Sequence, residues 1–225
     1  MRSDTIFSAN SLQADVSLVL FCGVALAASI QPASRIATLS ASTIAFPPGL
    51  FTVSFVFFFG LFSINRGAII AEHAAKRLSH TRLILRSLEH IVFGLILLSP
   101  YLVFSRSLLP NGGRDLLVLV LYTAMSALFL CLASFHLACR DTIRKRGNFL
   151  LRYGAYLAFC VIPLGVGVSH ASLSFFTAVS PIGVAIQVME AATALDLITG
   201  FSAVIAGAVW ILTRKQRFDR RPHVV

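Results

Sequence analysis

The sequence predicts an all-α integral membrane protein with six transmembrane helices and cytoplasmic N- and C-termini. The 225 residues are 57% hydrophobic and only 12% charged, whereas a soluble domain has about 25% charged residues. Most of the 19 lysines and arginines lie in three segments, 66–86, 140–152 and 214–221. Because loops rich in Lys and Arg remain on the cytoplasmic side, these segments predict three cytoplasmic regions.

Apolar runs of roughly the 17–25 residues needed to cross a bilayer separate these basic segments. The first run is short and follows no clearly positive stretch, so we expect an uncleaved span rather than a signal peptide. The whole chain, 1–225, is predicted to be one transmembrane domain. Its predicted spans are 16–31, 48–64, 87–105, 116–139, 153–169 and 197–213.

The stretch 171–195 is apolar enough to span, but Ser180-Pro181-Ile182-Gly183 interrupts a helix. A seventh span would move the basic C-terminal segment to the outside. Six spans leave only Arg35, Arg106 and Arg114 there, which agrees better with the positive-inside rule. We therefore expect a broken, re-entrant segment before the last span, with Pro181 and Gly183 at its break and with Glu190 and Asp196 near its end.

The first basic segment, 66–86, contains a candidate amphipathic helix over 67–79. Ile70, Ala74 and Leu78 share one face, and Glu72 and Lys76 form a favourable pair four residues apart. Such a helix lies on the membrane surface or binds a partner protein.

Catalytic motifs are missing from the sequence. It has no phosphate-binding loop of the G-x-x-x-x-G-K-[ST] type, no H-E-x-x-H pair and no G-x-S-x-G elbow. The four cysteines lie in apolar runs and predict no disulfide framework. The formal charge of +10 sits beside spans, where membrane topology explains it, so no nucleic-acid partner is expected. No catalytic residue, metal site or cofactor of the chain itself is predicted.

Two histidines leave one cofactor alternative open. His90 begins the third predicted span and His136 ends the fourth, both on the cytoplasmic side. Histidines on facing helices can ligate a haem iron axially. The alternative hypothesis is therefore a haem-bearing electron-transfer subunit that uses His90 and His136.

Four stretches resemble the membrane subunit of a type-2 ABC exporter. "FPPGLFTVSFVFFFGLFS" (46–63) is similar to the family's second span, and "AEHAAKRLSHTRLILRSLEHIVFGLILLSP" (71–100) to its coupling region and third span. "FFTAVSPIGVAIQ" (175–187) resembles the segment before the last span, and "WILTRKQRFDRR" (210–221) the basic end. "IRKRGNFLLRYGAYLAFCVIPLG" (143–165) is similar to the haem-exporter permease of cytochrome c maturation.

The resemblance implies a permease in the bacterial inner membrane, energised by a separate ABC ATPase that binds ATP and Mg²⁺. It implies a second permease copy or a related permease as a further partner, besides the lipid bilayer. The 66–86 segment would bind the ATPase, through the residues Ile70, Glu72, Ala74, Lys76, Arg77, Leu78 and Arg82. A structural or assembly subunit of a larger membrane complex remains a third hypothesis.

Overall fold

A computed structural model describes residues 9–30, 49–73, 79–109, 111–140, 145–169, 177, 179–189 and 202–210, and the regular structure in these residues is entirely helical. The helices are α1 (Ala9–Ile30), α2 (Gly49–His73), α3 (His80–Ser105), α4 (Gly113–Arg140), α5 (Lys145–Ser169) and α6 (Pro181–Met189). Residues 202–210 are also helical. Among the residues that the structure describes, three helical stretches are long and apolar enough to cross a membrane: Phe51–Glu72, His80–Ser105 and Gly113–Cys139. The all-α membrane class is confirmed to this extent.

Helix α2 is the centre of the bundle and contacts α1, α3, α4, α5 and α6. Several of its phenylalanines pack inside the chain. The main core joins them to residues of α1, α3, α4 and α6, and its fully buried members on α2 are Phe51, Phe55, Val56, Phe59 and Phe62.

Side-chain contacts along α2 give the directions of its neighbours. Asp15 of α1 pairs with Arg66 near the end of α2, whereas Phe21 stacks on Phe58 earlier in that helix, so α1 is antiparallel to α2. Pairs of contacts at different heights along α2 likewise show that α3 and α5 run antiparallel to α2 and that α4 runs parallel to it. Thus α2 and α4 end, and α1, α3 and α5 begin, at one end of the bundle. We call this the basic end, because Arg82, Arg86 and Arg140 belong to it.

Helix α2 continues nine residues beyond the predicted span end at residue 64, without a break, to His73. The prediction of a separate short helix beginning at Gly67 is therefore wrong. The polar residues Asn65 and Arg66 suggested an exit from the apolar core. Instead they are matched by partners on other helices, Tyr153 and Asp15, so the helix stays inside the bundle.

Helix α3 begins at His80, seven residues before the predicted span. Ser79 caps it, because its side-chain oxygen accepts a hydrogen bond from the Arg82 N–H at 3.3 Å. At the other end of the bundle, Gly112 has a positive φ of 55° in the turn that leads into α4. The Asp115 carboxylate accepts a hydrogen bond from the Asn111 N–H at 2.8 Å and closes this turn.

Candidate functional site

The described part of the predicted ATPase-binding segment divides into buried and exposed residues. Ile70 is only 4% exposed, whereas Glu72 and Arg82 are exposed. The remaining predicted residues of this set, Ala74, Lys76, Arg77 and Leu78, lie outside the described residues. Ile70 therefore faces its own chain in this structure, and the two described polar residues of the set, Glu72 and Arg82, face outward.

Ile70 belongs to an apolar cluster where α2, α3 and α4 meet, which we call the three-helix junction. It consists of Ile70, Leu83, Cys131, Leu132 and Phe135, all buried. Gly67 brings the backbones together here, because a Cβ at this position would meet the Cys131 carbonyl and lie 2.9 Å from the Ser134 Cβ. The Ser134 hydroxyl donates a hydrogen bond to the Ile64 carbonyl at 2.7 Å. The end of α2 and the beginning of α3 are thus packed directly on α4.

A buried ion pair lies beside this junction. The Arg66 guanidinium binds the Asp15 carboxylate, and the two residues are 1% and 8% exposed. The Arg66 guanidinium carbon also lies 4.9 Å from the centre of the Phe62 ring, in a cation–π arrangement. Sequence analysis grouped Arg66 with the basic segment 66–86, whereas the structure buries its side chain between α1 and α2. Because burial of one unpaired charge is costly, Asp15 and Arg66 make α1 and α2 mutually dependent.

His90 faces the same region from α3. It has no exposed surface, and neither ring nitrogen has a hydrogen-bond partner among the described residues. Arg66 and Arg86 are its charged neighbours. His136, on α4, is half-buried, and its ring meets Phe135 edge-on.

The haem alternative concerns a His90 ring that is fully enclosed by the chain. A haem iron could reach a His90 nitrogen only if the side chains that enclose the ring moved away. Within the described residues, no group of three His, Cys, Asp or Glu side chains could hold a metal ion.

Of the predicted broken segment 171–195, the structure describes residues 177 and 179–189; Gly183, predicted to lie at the break, lies within helix α6. Thr177, Val179 and Ser180 precede α6, which begins at Pro181. The Tyr122 hydroxyl donates to the Val179 carbonyl at 3.4 Å, and the Ser180 hydroxyl donates to the Cys160 carbonyl at 2.5 Å. These bonds attach the break to α4 and α5 within the bundle.

Helix α6 packs back against the chain that precedes it. The Gln187 amide donates to the Thr177 hydroxyl at 2.6 Å, and a Cβ on Gly183 would meet the Thr177 backbone. Glycine is therefore required for this close approach. Glu190 and Asp196 lie outside the described residues.

A cavity of about 190 Å³ lies between α2, α4 and α5. Its walls are almost entirely hydrocarbon, and they come from Ile64, Phe129, Leu130, Ala133, Ser134, Leu137, Ala155, Tyr156 and Phe159. We call it the α4–α5 cleft. Neither His90 nor His136 lines it.

Sequence analysis missed the partners that bury polar groups between helices. Asp15 lies within helix α1 just before its apolar run, and sequence analysis assigned it no partner. An acidic residue at the edge of a span, matched by one cation at the edge of another, was the available signal. The hydrogen bond between the Tyr153 hydroxyl and the Asn65 side chain had no comparable signal.

Comparisons with known proteins identify no relative. No protein-family model, curated protein or solved structure matches the chain.

Proposed function

We propose that the chain is the permease subunit of an ATP-driven ABC exporter in a bacterial inner membrane. The three-helix junction carries this proposal. A partner that moves the α2–α3 connection also moves α4, because Ile70 and Leu83 pack on Cys131, Leu132 and Phe135. Close-packed side chains transmit displacement with little compression. A separate ATPase subunit, which binds ATP and Mg²⁺, would supply the movement.

The exposed residues beside the junction are the proposed contact with the ATPase. Glu72 and Arg82 are open to a partner, and Ile70 supports them from within the chain. Exposed charges at the rim of an interface guide association and select the partner. Ala74, Lys76, Arg77 and Leu78 are assigned by the sequence to the same contact.

The interrupted segment is a second argument for transport. Irregular backbone at membrane depth is tolerated where protein encloses it or where it lines a cavity. Transporters use such broken helices at their substrate sites. We propose that Thr177–Val188 forms part of the route taken by the substrate, in a six-span permease that pairs with a second permease.

Reversal of the charge on Arg82 tests the ATPase contact. We expect Arg82→Glu to reduce the ATPase recovered with the tagged chain by roughly tenfold or more, because like charges would then oppose each other at the interface. The measurement is quantitative mass spectrometry of proteins purified with the chain from native membranes.

Arg114→Glu is the matched control for this variant. Arg114 is likewise an exposed arginine in the first turn of a helix, but α4 begins at the end of the bundle opposite the basic end. Membrane insertion should be equal in both variants. Recovery of an ABC ATPase at the same level with Arg82→Glu as with Arg114→Glu would contradict the assigned contact. Absence of an ATPase from all preparations would favour a structural or assembly subunit.

The six-span topology predicts opposite labelling for two exposed positions. His80 lies at the basic end and Ser107 at the other end of the bundle. In intact cells, we expect an impermeant maleimide to label Ser107→Cys, and to label His80→Cys only after the membrane is permeabilised, because the basic end is cytoplasmic. The parent chain provides the background from the four native cysteines. Labelling of His80→Cys in intact cells would refute the orientation.

A further inference from the structure

Buried polar side chains from four helices meet at the level of Arg66. Arg66 of α2 binds Asp15 of α1, and the Cys131 thiol of α4 donates a hydrogen bond to the Ser87 hydroxyl of α3 at 3.4 Å. His90, one turn after Ser87, belongs to the same level, and all of these side chains are buried. We call Asp15, Arg66, Ser87, His90 and Cys131 the polar layer. It joins helices α1 to α4 through polar contacts within an otherwise apolar bundle.

Contacts on both sides of His90 fix its level in the bundle. A Cβ on Gly94, one turn later in α3, would lie 2.8 Å from the Phe62 ring. Leu83, two turns earlier than His90, packs with Ile70 in the three-helix junction. Because α3 is antiparallel to α2, His90 lies between these two levels, beside Arg66.

His90 differs from the rest of the polar layer in its hydrogen bonding. The residue is 0% exposed, and neither ring nitrogen has a hydrogen-bond partner among the described residues. A neutral imidazole has one N–H donor and one acceptor nitrogen, and buried polar groups are nearly always paired. An ionisable side chain inside a membrane-spanning bundle is by default a candidate functional group. Its binding chemistry depends on the charges that surround it.

Two arginines face His90. Arg66 approaches it from α2, and Arg86 lies one turn earlier on α3. Each arginine already has an acidic partner: Asp15 of α1 binds Arg66, and Glu89 pairs with Arg86 at 3.0 Å. An imidazolium here would be a buried cation next to two others, which is unfavourable.

Helix α4 adds no charge to the polar layer. Its contribution is the Cys131 thiol, which is hydrogen-bonded to Ser87. Within the layer as defined, Asp15 is therefore the one acidic group, and Arg66 occupies it. The closed layer thus favours a neutral His90.

Entry of water would reverse this preference. A histidine that water reaches takes up a proton at about pH 6.5. Movement of α3 away from α2 and α4 would hydrate the ring and separate it from Arg66. The open layer then binds a proton that the closed layer does not, so acidification favours opening. The closed layer keeps its full stability well above about pH 6.5 and loses it as the pH falls below that value.

We propose that His90 is a proton-binding site, which is occupied when the polar layer opens and emptied when α3 closes on Arg66. A ring nitrogen takes the proton from solvent water and returns it on closure, and no other covalent bond changes. Proton binding is thereby linked to the packing of α3 against α2 and α4. The site is independent of the ATPase contact, so it can be tested whether or not the chain is a permease.

Cys131 is a natural reporter of the opening. It is 0% exposed and bonded to Ser87, so a thiol reagent reaches it only when α3 moves away. The full chain in lipid nanodiscs, with Cys22→Ala, Cys139→Ala and Cys160→Ala, keeps Cys131 as its single thiol. Dithiodipyridine serves as the reagent because it still reacts with thiols at acid pH.

Protection of Cys131 is the quantity to compare. It is the labelling rate of the denatured chain divided by that of the native chain at the same pH, which removes the effect of pH on the thiol itself. Rates are measured where they are proportional to reagent concentration, so that they report the open fraction. We expect protection to fall about tenfold from about pH 7.5 to about pH 5.5, the change that one linked proton produces around pH 6.5.

Two variants remove the proton site and keep the reporter. His90→Phe retains a ring of similar size that does not titrate, and protection of Cys131 should then be independent of pH. His90→Gln, which keeps a polar but uncharged side chain, serves if His90→Phe does not fold.

A chain that keeps Cys160 as its single thiol is the matched control. Cys160 is also 0% exposed, but it packs with Tyr156 and Ile64 away from α3. Its protection should stay constant over the same pH range.

Three results would overturn the proposal. The first is protection of Cys131 that does not change with pH in the chain with His90. The second is an equal fall in the His90 variants, which would assign the effect to another group. The third is a parallel fall at Cys160, which would show general loosening of the bundle in acid.

Discussion

Replacement of Arg66 by leucine is expected to lower the free energy of unfolding by about 3–5 kcal/mol, because it leaves the Asp15 carboxylate buried without its partner. The Phe62 cation–π contact would be lost as well. The expected result is a large fall in the yield of monodisperse protein and in the thermal unfolding midpoint in detergent. Both are measured by size-exclusion chromatography after stepwise heating.

A double variant separates the cost of an unpaired charge from the value of the pair. Asp15→Leu combined with Arg66→Met removes both charges and should recover most of the stability, since a buried ion pair can often be replaced by apolar residues of similar volume. If the double variant is as unstable as Arg66→Leu, the uncompensated charge is not the cause of the loss.

Arg86→Leu is the matched single control. Arg86 pairs with Glu89 at 3.0 Å, but the two side chains are 31% and 51% exposed. Exposed pairs contribute about 0–1 kcal/mol, so this variant should remain close to the parent. If Arg66→Leu lowers the thermal unfolding midpoint as little as Arg86→Leu does, then leaving Asp15 without its partner carries no large cost in stability.

Replacement of Gly67 by alanine should separate α2 from α4 at the three-helix junction. The added Cβ would collide with the Cys131 carbonyl and crowd the Ser134 side chain, and a backbone obstacle cannot rotate away as a side chain can. We expect overpacking to lower the free energy of unfolding by about 1–3 kcal/mol. This loss exceeds the gain of about 1 kcal/mol in helix propensity when alanine replaces glycine. The thermal unfolding midpoint in detergent should fall.

Gly154→Ala provides a control of opposite sign. Gly154 is also within a helix, but a Cβ there has no atom within 4 Å. Only the gain in helix propensity applies at this position, so the free energy of unfolding of this variant should be unchanged or higher by up to about 1 kcal/mol. Equal midpoints for the two variants would show that α2 and α4 do not require close approach at Gly67.

If the permease proposal holds, Gly67→Ala should also weaken coupling. The junction would then be loosened between the α2–α3 connection and α4, while Arg82 remained available to the ATPase. Binding of the ATPase without nucleotide-driven transport would be the expected combination. Loss of ATPase binding in Gly67→Ala would indicate instead that the connection itself had been displaced.

Local sequence predicts where the apolar part of a helix lies better than it predicts where the helix ends. Hydropathy located the apolar centres of α1 to α5, since a run of apolar residues must be buried in lipid or protein. The hydropathy pattern placed the end of the second span at residue 64, because Asn65 and Arg66 are polar. Their partners, Tyr153 and Asp15, come from helices distant in sequence, and no local pattern reveals such partners.

The candidate coupling site shows a similar limit. Helical periodicity grouped Ile70 with Ala74 and Leu78 but did not indicate what covers Ile70. Ile70 was assigned to an interface with another protein, whereas it packs on Leu83 and α4 in this chain. An apolar face requires burial, and local sequence does not distinguish a partner subunit from a neighbouring helix.

The sequence by itself determined the chemical character of this protein: apolar helices, basic connections between them, and a break at Ser180-Pro181. These features depend on composition and local backbone preference, which are properties of short segments. Only the tertiary structure decided that Arg66 is buried against Asp15, that Gly67 joins α2 to α4, and that a cleft lies between α4 and α5. Each of these depends on residues far apart in the chain, because burial and close packing are properties of the assembled helices.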